Sequence, residues 1–339
     1  KFKTVTMASD GKVEEPTMTS AFWFTEDVTP ELSTRAALTS ISFDTKSEFQ
    51  RVQVIETVPF GKTLVLDGKT QSALKDEYVY HESLVHPVML AHPNPKSVYV
   101  GGGGEFATTR EILRHTSVEK CVMVDIDKVV CDVCREQLPE WHDGCVDDPR
   151  LEVVYDDAKG WLERYEGTFD IIIMDIADPI EAGPGIALYT EEFYKFAITK
   201  LNPGGMLVTQ SGPGSHFNIT ECATVIHKTL RNTFDYTALY TSDIPSFGSN
   251  WAFNIAYNKD SAIAAEATAA GRDPLEAFLD KPRADIDAAI DARIKGGADA
   301  LRFLDGAAWK GVFGITKRVR QEMAKEERHM TMADPIFMY

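Results

Sequence analysis

Between residues 96 and 210 short apolar runs alternate with helix-like stretches, and this rhythm constrains the fold more than any other feature of the chain. The apolar runs are 97–100, 120–124, 151–155, 169–174 and 205–210. The fourth, Phe169-Asp-Ile-Ile-Ile-Met174, reads as a strand buried on both faces, as in the middle of a parallel sheet. Residues 107–114, 128–137, 158–163, 191–200 and 219–232 fit helices between and after the runs. Strands alternating with helices predict an α/β fold with a doubly wound parallel sheet. Residues 234–241 and 250–257 fit a closing pair of strands, which can run antiparallel to the rest.

The ends of these strands carry acids. Asp175-Ile-Ala-Asp178-Pro179 follows the 169–174 run directly. Burying an unpaired carboxylate is costly, so acids at such an edge need partners. In an open α/β sheet the carboxyl ends of the strands are where ligands bind. Glu105, Asp125 and Asp157 end three other strands, and together the acids suggest a pocket for a positively charged substrate.

The first strand runs into Gly101-Gly-Gly-Gly104-Glu105-Phe106-Ala107, where Gly102-x-Gly104-x-x-Ala107 approximates the dinucleotide fingerprint. Asp125, at the next strand end, suits a ribose diol. Glu105 sits where a pyrophosphate would rest on the helix N-terminus, and its charge opposes a phosphate there. A nucleoside without phosphate, carrying a cation, fits better; a carboxylate complementing the helix dipole is the structural alternative. Asp157 can accept from an adenine amino group or simply cap residues 158–163. Asp175 and Asp178 can anchor an ammonium group and take a proton from an amine, or close an Asx-turn before Pro179.

The rest of the chain sets boundaries. Residues 1–20 read as a flexible leader and 21–75 as an antiparallel β-hairpin domain, with strands at 40–44, 49–56 and 63–66. Residues 76–90 fit a helix with Tyr78, His81, Leu84, Val85 and Val88 at helical spacing. The catalytic domain is then 76–258. Residues 259–339 form a helical extension with helices at 262–271, 286–294 and 310–326. At 339 residues and 44% hydrophobic, the chain can build one large domain and a smaller one. A net charge of -17 argues against nucleic acid and anionic membranes as partners. No apolar run is long enough to span a bilayer. Cys131 and Cys134 have C-x-x-C spacing, but no second pair completes a metal site, so no metal is expected. The five cysteines are expected to be free thiols in a reducing cytoplasm.

The motifs occur in the order found in polyamine aminopropyltransferases, the spermidine and spermine synthase family. They are Gly102-Gly-Gly-Glu105 with Arg110-Glu111, Asp125-Ile-Asp127, Asp156-Asp157-Ala158, Asp175-Ile-Ala-Asp178-Pro179 and Leu188-Tyr189-Thr-Glu-Glu-Phe193-Tyr194. Phe49-Gln50 and Asp76-Glu77-Tyr78-Val-Tyr80-His81-Glu82 match upstream, and the resemblance spans roughly residues 20–258. The Asp-Ile-Ala-Asp-Pro form resembles the thermospermine synthase branch, as do Leu201-Asn-Pro-Gly, Thr209-Gln-Ser-Gly-Pro, Ile244-Pro-Ser-Phe247 with Trp251, and the tail.

The resemblance implies a Rossmann-like, methyltransferase-type sheet and transfer of an aminopropyl group from decarboxylated S-adenosylmethionine to spermidine, releasing methylthioadenosine. No tightly bound cofactor is implied, and a homodimer or homotetramer is. By position, Gln50, Asp125 and Asp157 would hold the adenosine, with Gly102 and Gly104 in the loop beneath it. Glu105 and Asp178 would bind the donor's amino end. Tyr80 and Asp175 would receive the attacking amine, with Asp175 as base, and His81 and Trp251 would line the acceptor pocket; a core histidine is the alternative for His81. The family usually has Gly where Phe106 stands, and Tyr-Pro where Ser246-Phe247 stands. A different acceptor, or methyl transfer on the same core, are the rival activities. A polyamine-binding protein without catalysis is the rival from another class.

Overall fold

The computed structural model describes residues 6–7, 13–14, 22–179, 183 and 185–338. Apart from a two-residue antiparallel pair, β1 (Thr6–Met7) with β2 (Val13–Glu14), the expected leader lies outside the described residues. Five strands then form an antiparallel meander: β3 (Phe22–Thr29), β4 (Leu32–Lys46), β5 (Arg51–Thr57), β6 (Gly61–Leu66) and β7 (Lys69–Ala73). Asp67 and Gly68, at φ +47° and +81°, turn β6 into β7 in two residues. Both central residues at positive φ make the turn whose twist matches a hairpin, and Asp-Gly is the pair that tolerates it. β3 and β7 were not listed among the expected strands; β3 opens on the apolar Phe22-Trp23-Phe24, β7 has no apolar run, and both are held by ladder bonds to a neighbour.

α1 (Glu77–Ala91) links the meander to the main sheet and is buried on nearly every side. The apolar face containing Leu84, Val85 and Val88 packs in the core with Val52 and Leu64 of the meander. Its other faces are buried too, which leaves Glu77, His81, Glu82 and His86 needing partners inside the protein.

The main sheet has the order β10-β9-β8-β11-β12-β14-β13. Its strands are β8 (Ser97–Gly102), β9 (Lys120–Asp125), β10 (Leu151–Tyr155), β11 (Phe169–Asp175), β12 (Leu201–Pro213), β13 (Tyr236–Ile244) and β14 (Ser249–Tyr257). β10 to β12 are parallel, and β14 enters antiparallel between β12 and β13. The alternation and the closing antiparallel pair therefore fold as the sequence indicates. The chain winds outward from β8 in one direction and from β11 in the other, so a crevice opens at their carboxyl ends. The intervening helices are α2 (Ala107–Leu113), α3 (Lys128–Gln137), α4 (Pro139–His142), α5 (Ala158–Arg164), α6 (Glu191–Ile198) and α7 (Ala223–Arg231).

The tail forms α8 (Ala262–Ala269), α9 (Pro274–Leu279), α10 (Arg283–Arg293), α11 (Gly306–Phe313) and α12 (Lys317–Lys325). The single helix expected over 310–326 is two: the chain breaks after Phe313, and the Thr316 hydroxyl caps α12 through the Val319 N–H. Two buried groups fasten the tail to α1. The Glu82 carboxylate accepts from the N–H groups of Arg302, Phe303 and Leu304 at 2.7, 2.9 and 2.8 Å. Arg293 donates to the carbonyls of Met89, Leu90 and His92, which end α1 without helical partners. Among the described residues the cysteines are free thiols, and no helix is long and apolar enough to cross a membrane.

Candidate active site

The crevice is a cavity of about 1020 Å³. Gln50, Tyr80, Gly102, Glu105, Asp125, Asp157, Asp175, Asp178 and Trp251 all line it. Gly104 and His81 do not.

The glycine loop is shaped by what lies against it. Gly102 sits at φ +81°, and a Cβ there would lie 2.1 Å from the Asp175 carbonyl oxygen. The Gly103 N–H donates to the same oxygen at 3.0 Å. Glycine is thus required so that the β8 loop can rest on the end of β11. Phe106 takes φ +69°, a left-handed conformation that glycine adopts without strain and phenylalanine does not. Its ring is fully buried, under the Arg135 guanidinium at 5.1 Å, and this packing offsets the backbone cost. The Phe106 substitution therefore leaves the glycine-type loop geometry in place.

Asp175 ends β11 in register with Gly102. Its Oδ1 accepts from the Tyr80 hydroxyl at 2.7 Å, and its Oδ2 accepts from Thr108 at 2.6 Å. α1 and α2 therefore aim one donor each at the two oxygens. Burial raises the Asp175 carboxyl above the usual range, and the Glu105 charge adds to this. Burial also raises Tyr80 well above a free phenol, so its hydroxyl remains a donor.

Glu105 accepts from His81 Nε2 at 3.0 Å, while His81 Nδ1 meets Glu77 Oε2 at 2.9 Å. With 14% of its side chain exposed, Glu105 still presents carboxylate to the cavity. Burial alone would keep His81 neutral, but Glu105 and Glu77 raise it to about 10, so it is a buried imidazolium. The chain of charges continues inward. Arg110 Nη2 bonds Glu77 at 2.9 Å and Arg110 Nε bonds Glu111 at 2.7 Å; Glu111 meets His86 at 3.0 Å. His81, expected in the acceptor wall, instead orients Glu105 from behind.

Asp125 accepts from the Asp127 N–H at 2.8 Å and is pushed up to about 6 by burial. The Gln50 amide donates to Asp127 Oδ2 at 3.0 Å, beside the Ser47 hydroxyl at 2.6 Å. Asp127 also caps α3, so one carboxylate ties the meander to the nucleoside end of the cavity. Asp157 caps α5 through the Gly160 N–H while lining the cavity, so the capping alternative is realised alongside any ligand contact.

Asp178 is held by Gln210, whose amide donates to Asp178 Oδ1 at 3.0 Å. The amide oxygen of Gln210 accepts from Trp251 Nε1 at 3.0 Å and from the Gly212 N–H at 2.8 Å. Burial pushes Asp178 up to about 6; the charges that act on it are Lys69 and Glu26, both in the cavity wall. Glu105 acts on Asp175 and Asp125. Glu105 thus bears on Asp125 and Asp175, and Glu26 and Lys69 bear on Asp178, within one acid-lined cavity. Thr108, Asp127, Gln210, Glu26, Phe337 and Met338 were missed as site residues; Asp127 and Gln210 stood inside quoted motifs but were given no role. Among the described residues no cluster of three or more His, Cys, Asp or Glu suits a metal ion.

Residues 77–267 match the spermine/spermidine synthase domain, and residues 22–73 match the spermidine synthase tetramerisation domain. A polyamine aminopropyltransferase of Aeropyrum pernix is 41% identical, over 93% of this chain and 95% of that protein. A thermospermine synthase of Arabidopsis thaliana is 37% identical, over 93% of this chain and 88% of that protein. A crystal structure of spermidine synthase bound to the transition-state analogue AdoDATO superposes with a TM-score of 0.77 at 26% identity, covering 90% of this chain and 96% of that one. Paired carboxylates at the ends of a methyltransferase-type sheet, with Glu105 beside the glycine loop, thus occur on a chain that belongs to the spermine/spermidine synthase family of aminopropyltransferases.

Proposed function

We propose that this protein transfers the aminopropyl group of decarboxylated S-adenosylmethionine to spermidine, releasing methylthioadenosine and forming thermospermine. The observation that carries the transfer reading is Asp175: a half-buried carboxylate with a raised pKa, oriented by Tyr80 and Thr108 in an acid-lined cavity. The aminopropyl carbon of the donor is bonded to a sulfonium, so the leaving group needs neither acid nor metal. The obstacle is the acceptor, because an alkyl amine has a pKa of about 10 and arrives protonated. Asp175 takes that proton. The free nitrogen lone pair then attacks the carbon, the C–S bond breaks, and its electrons return to sulfur as a neutral thioether. A raised pKa makes Asp175 a better base, and fixed orientation of the two reactants supplies much of the rate.

Asp125 and Asp157 suit the ribose and adenine, and Glu105 suits the donor's ammonium. Asp178, in the field of Glu26 rather than Glu105, is assigned to the far amine of the acceptor. Spermidine as acceptor and thermospermine as product are supported by the Asp175-Ile-Ala-Asp178 form and the 37% identity with a thermospermine synthase. Putrescine as acceptor is the second reading, favoured by the likeness to a spermidine synthase structure. Incubation with the donor and each polyamine, followed by chromatography that separates thermospermine from spermine, decides between them. No methylthioadenosine with any acceptor refutes the transfer itself. The meander exposes Trp23, Leu32, Ile41 and Val58, which suits assembly into a homodimer or homotetramer. The free thiols suit a reducing cytoplasm.

The electrostatics set a pH dependence. Asp125 and Asp178 have folded pKa values near 6, above the carboxylate range of an unfolded chain. The folded, ligand-free protein therefore holds more protons between about pH 4 and 6, and its stability declines as pH rises through that window. Spermidine binds the ionised carboxylates and stays fully protonated itself from pH 5 to 8 at roughly these values. Its affinity should be level above pH 6 and weaken by up to about tenfold per pH unit below it. Calorimetric Kd values across this range check this, and Asp178→Asn should flatten the profile.

A further inference from the structure

The segment after α12 does not belong to the sheet, and the carboxylate chemistry does not require it. It also lies beyond residues 77–267, which match the synthase domain. It is nevertheless fastened along its whole path. Thr224 of α7 donates to Glu326 at 2.8 Å. Met330 is fully buried; its N–H donates to Thr229 at 2.9 Å and its carbonyl accepts from the Glu191 N–H at 2.8 Å. A tight turn follows, closed by backbone bonds between Thr331 and Asp334. Ile336 then packs against the second core cluster, and the Met338 N–H donates to the Pro179 carbonyl at 2.8 Å.

That last bond joins the strap to the residue after Asp178. The Met338 sulfur lies 3.9 Å from the Cys222 sulfur. A Cβ built on Gly212 would stand 3.4 Å from the Met338 sulfur and 3.7 Å from Asp178 Oδ1. Phe337 and Met338 both line the cavity. They join Phe247 and Trp251, whose rings meet edge to face at 4.8 Å. The Asp178 end of the cavity thus combines a carboxylate with aromatic and thioether surface. An extended polyamine alternates ammonium groups with methylene runs, and this wall is complementary to both parts: carboxylate for the charge, rings and sulfur for the methylenes and for cation–π contact.

We propose that Phe337 and Met338 are specificity-determining residues that select the length of the acceptor polyamine. The inference rests on the aminopropyl-transfer reading and deepens it. The strap forms part of the wall against which the added methylenes of a longer acceptor pack, so it discriminates spermidine from putrescine at the end remote from the transferred group. Discrimination by apolar contact with a few methylenes is worth roughly ten- to a hundredfold.

The test uses the full chain and the variants Phe337→Ala, Met338→Ala and Phe337→Leu. Methylthioadenosine release is measured with spermidine and with putrescine, and methylthioadenosine affinity by calorimetry. Phe337 is 38% exposed, so its truncation leaves the fold intact. The ratio of kcat/KM for spermidine over putrescine should fall about tenfold in either alanine variant, chiefly through the KM for spermidine. Phe337→Leu should recover most of the ratio, and product affinity should stay at the wild-type value. An unchanged ratio in both alanine variants overturns the proposal. If the unaltered protein releases no methylthioadenosine with either acceptor, the transfer reading fails instead. The strap is then tested by spermidine Kd, which must weaken in Phe337→Ala for the proposal to survive.

Discussion

Asp175→Asn should reduce turnover by roughly 10³-fold or more while leaving methylthioadenosine affinity unchanged. The substitution is nearly isosteric: one of the two hydroxyls that now donate to Asp175, Tyr80 or Thr108, keeps an oxygen to bond, and the other can turn to accept from the amide NH2. What disappears is the negative charge and the ability to accept a proton. The polyamine then reaches the donor as an ammonium ion without a lone pair. Methylthioadenosine is uncharged and lacks the amino end of the donor, so its affinity reports on the fold of the site and not on the base. The loss should appear in kcat at saturating acceptor. Raising the pH, which deprotonates the amine in solution, should restore part of the rate in the variant. A variant whose turnover matches the unaltered enzyme would remove Asp175 as the base.

Arg110→Ala should destabilise the protein by roughly 3–5 kcal/mol, read as a lower midpoint of denaturation. Glu77 and Glu111 are 5% and 1% exposed at the side chain, and Arg110 bridges them. Burial opposes the ionisation of Glu111, yet His86 and Arg110 hold it down to about 2. Without the guanidinium, Glu77 stays buried with His81 beside it, and Glu111 with His86 and the more distant Arg114 at 3.5 Å. Arg110→Lys should not rescue. One ammonium cannot reproduce the separate bonds that Nε makes to Glu111 and Nη2 makes to Glu77. The same variant should weaken donor binding, because Glu77 sets the position of His81 and His81 sets Glu105. A midpoint within about 0.5 kcal/mol of wild type would show that the buried chain has no structural weight.

The parallel sheet was legible in the sequence because each strand is a short, continuous apolar run and each helix has its own period. Within the meander β7 was not, since a polar strand at its margin is held by ladder bonds that leave no mark in composition. The break between α11 and α12 hid in a helix-prone stretch where one threonine decides the restart. Within the site, the five acids at four strand ends were legible because strand ends in this topology converge on one edge. Their second partners were not. Gln210 reaches Asp178 across 32 positions of sequence, and Thr108 reaches Asp175 across 67. Gln50 was found, but the carboxylate it bonds, Asp127, was seen only as part of a motif.

The sequence by itself determined the fold class, the carboxylates at the strand ends and the glycine loop, because these follow from local periodicity and from backbone conformation. Only the tertiary structure decided which donors hold each carboxylate, that His81 is a buried imidazolium behind Glu105, and that the last described residues line the cavity. Those properties depend on burial and on charges brought together from distant parts of the chain, and neither quantity exists until the chain is packed.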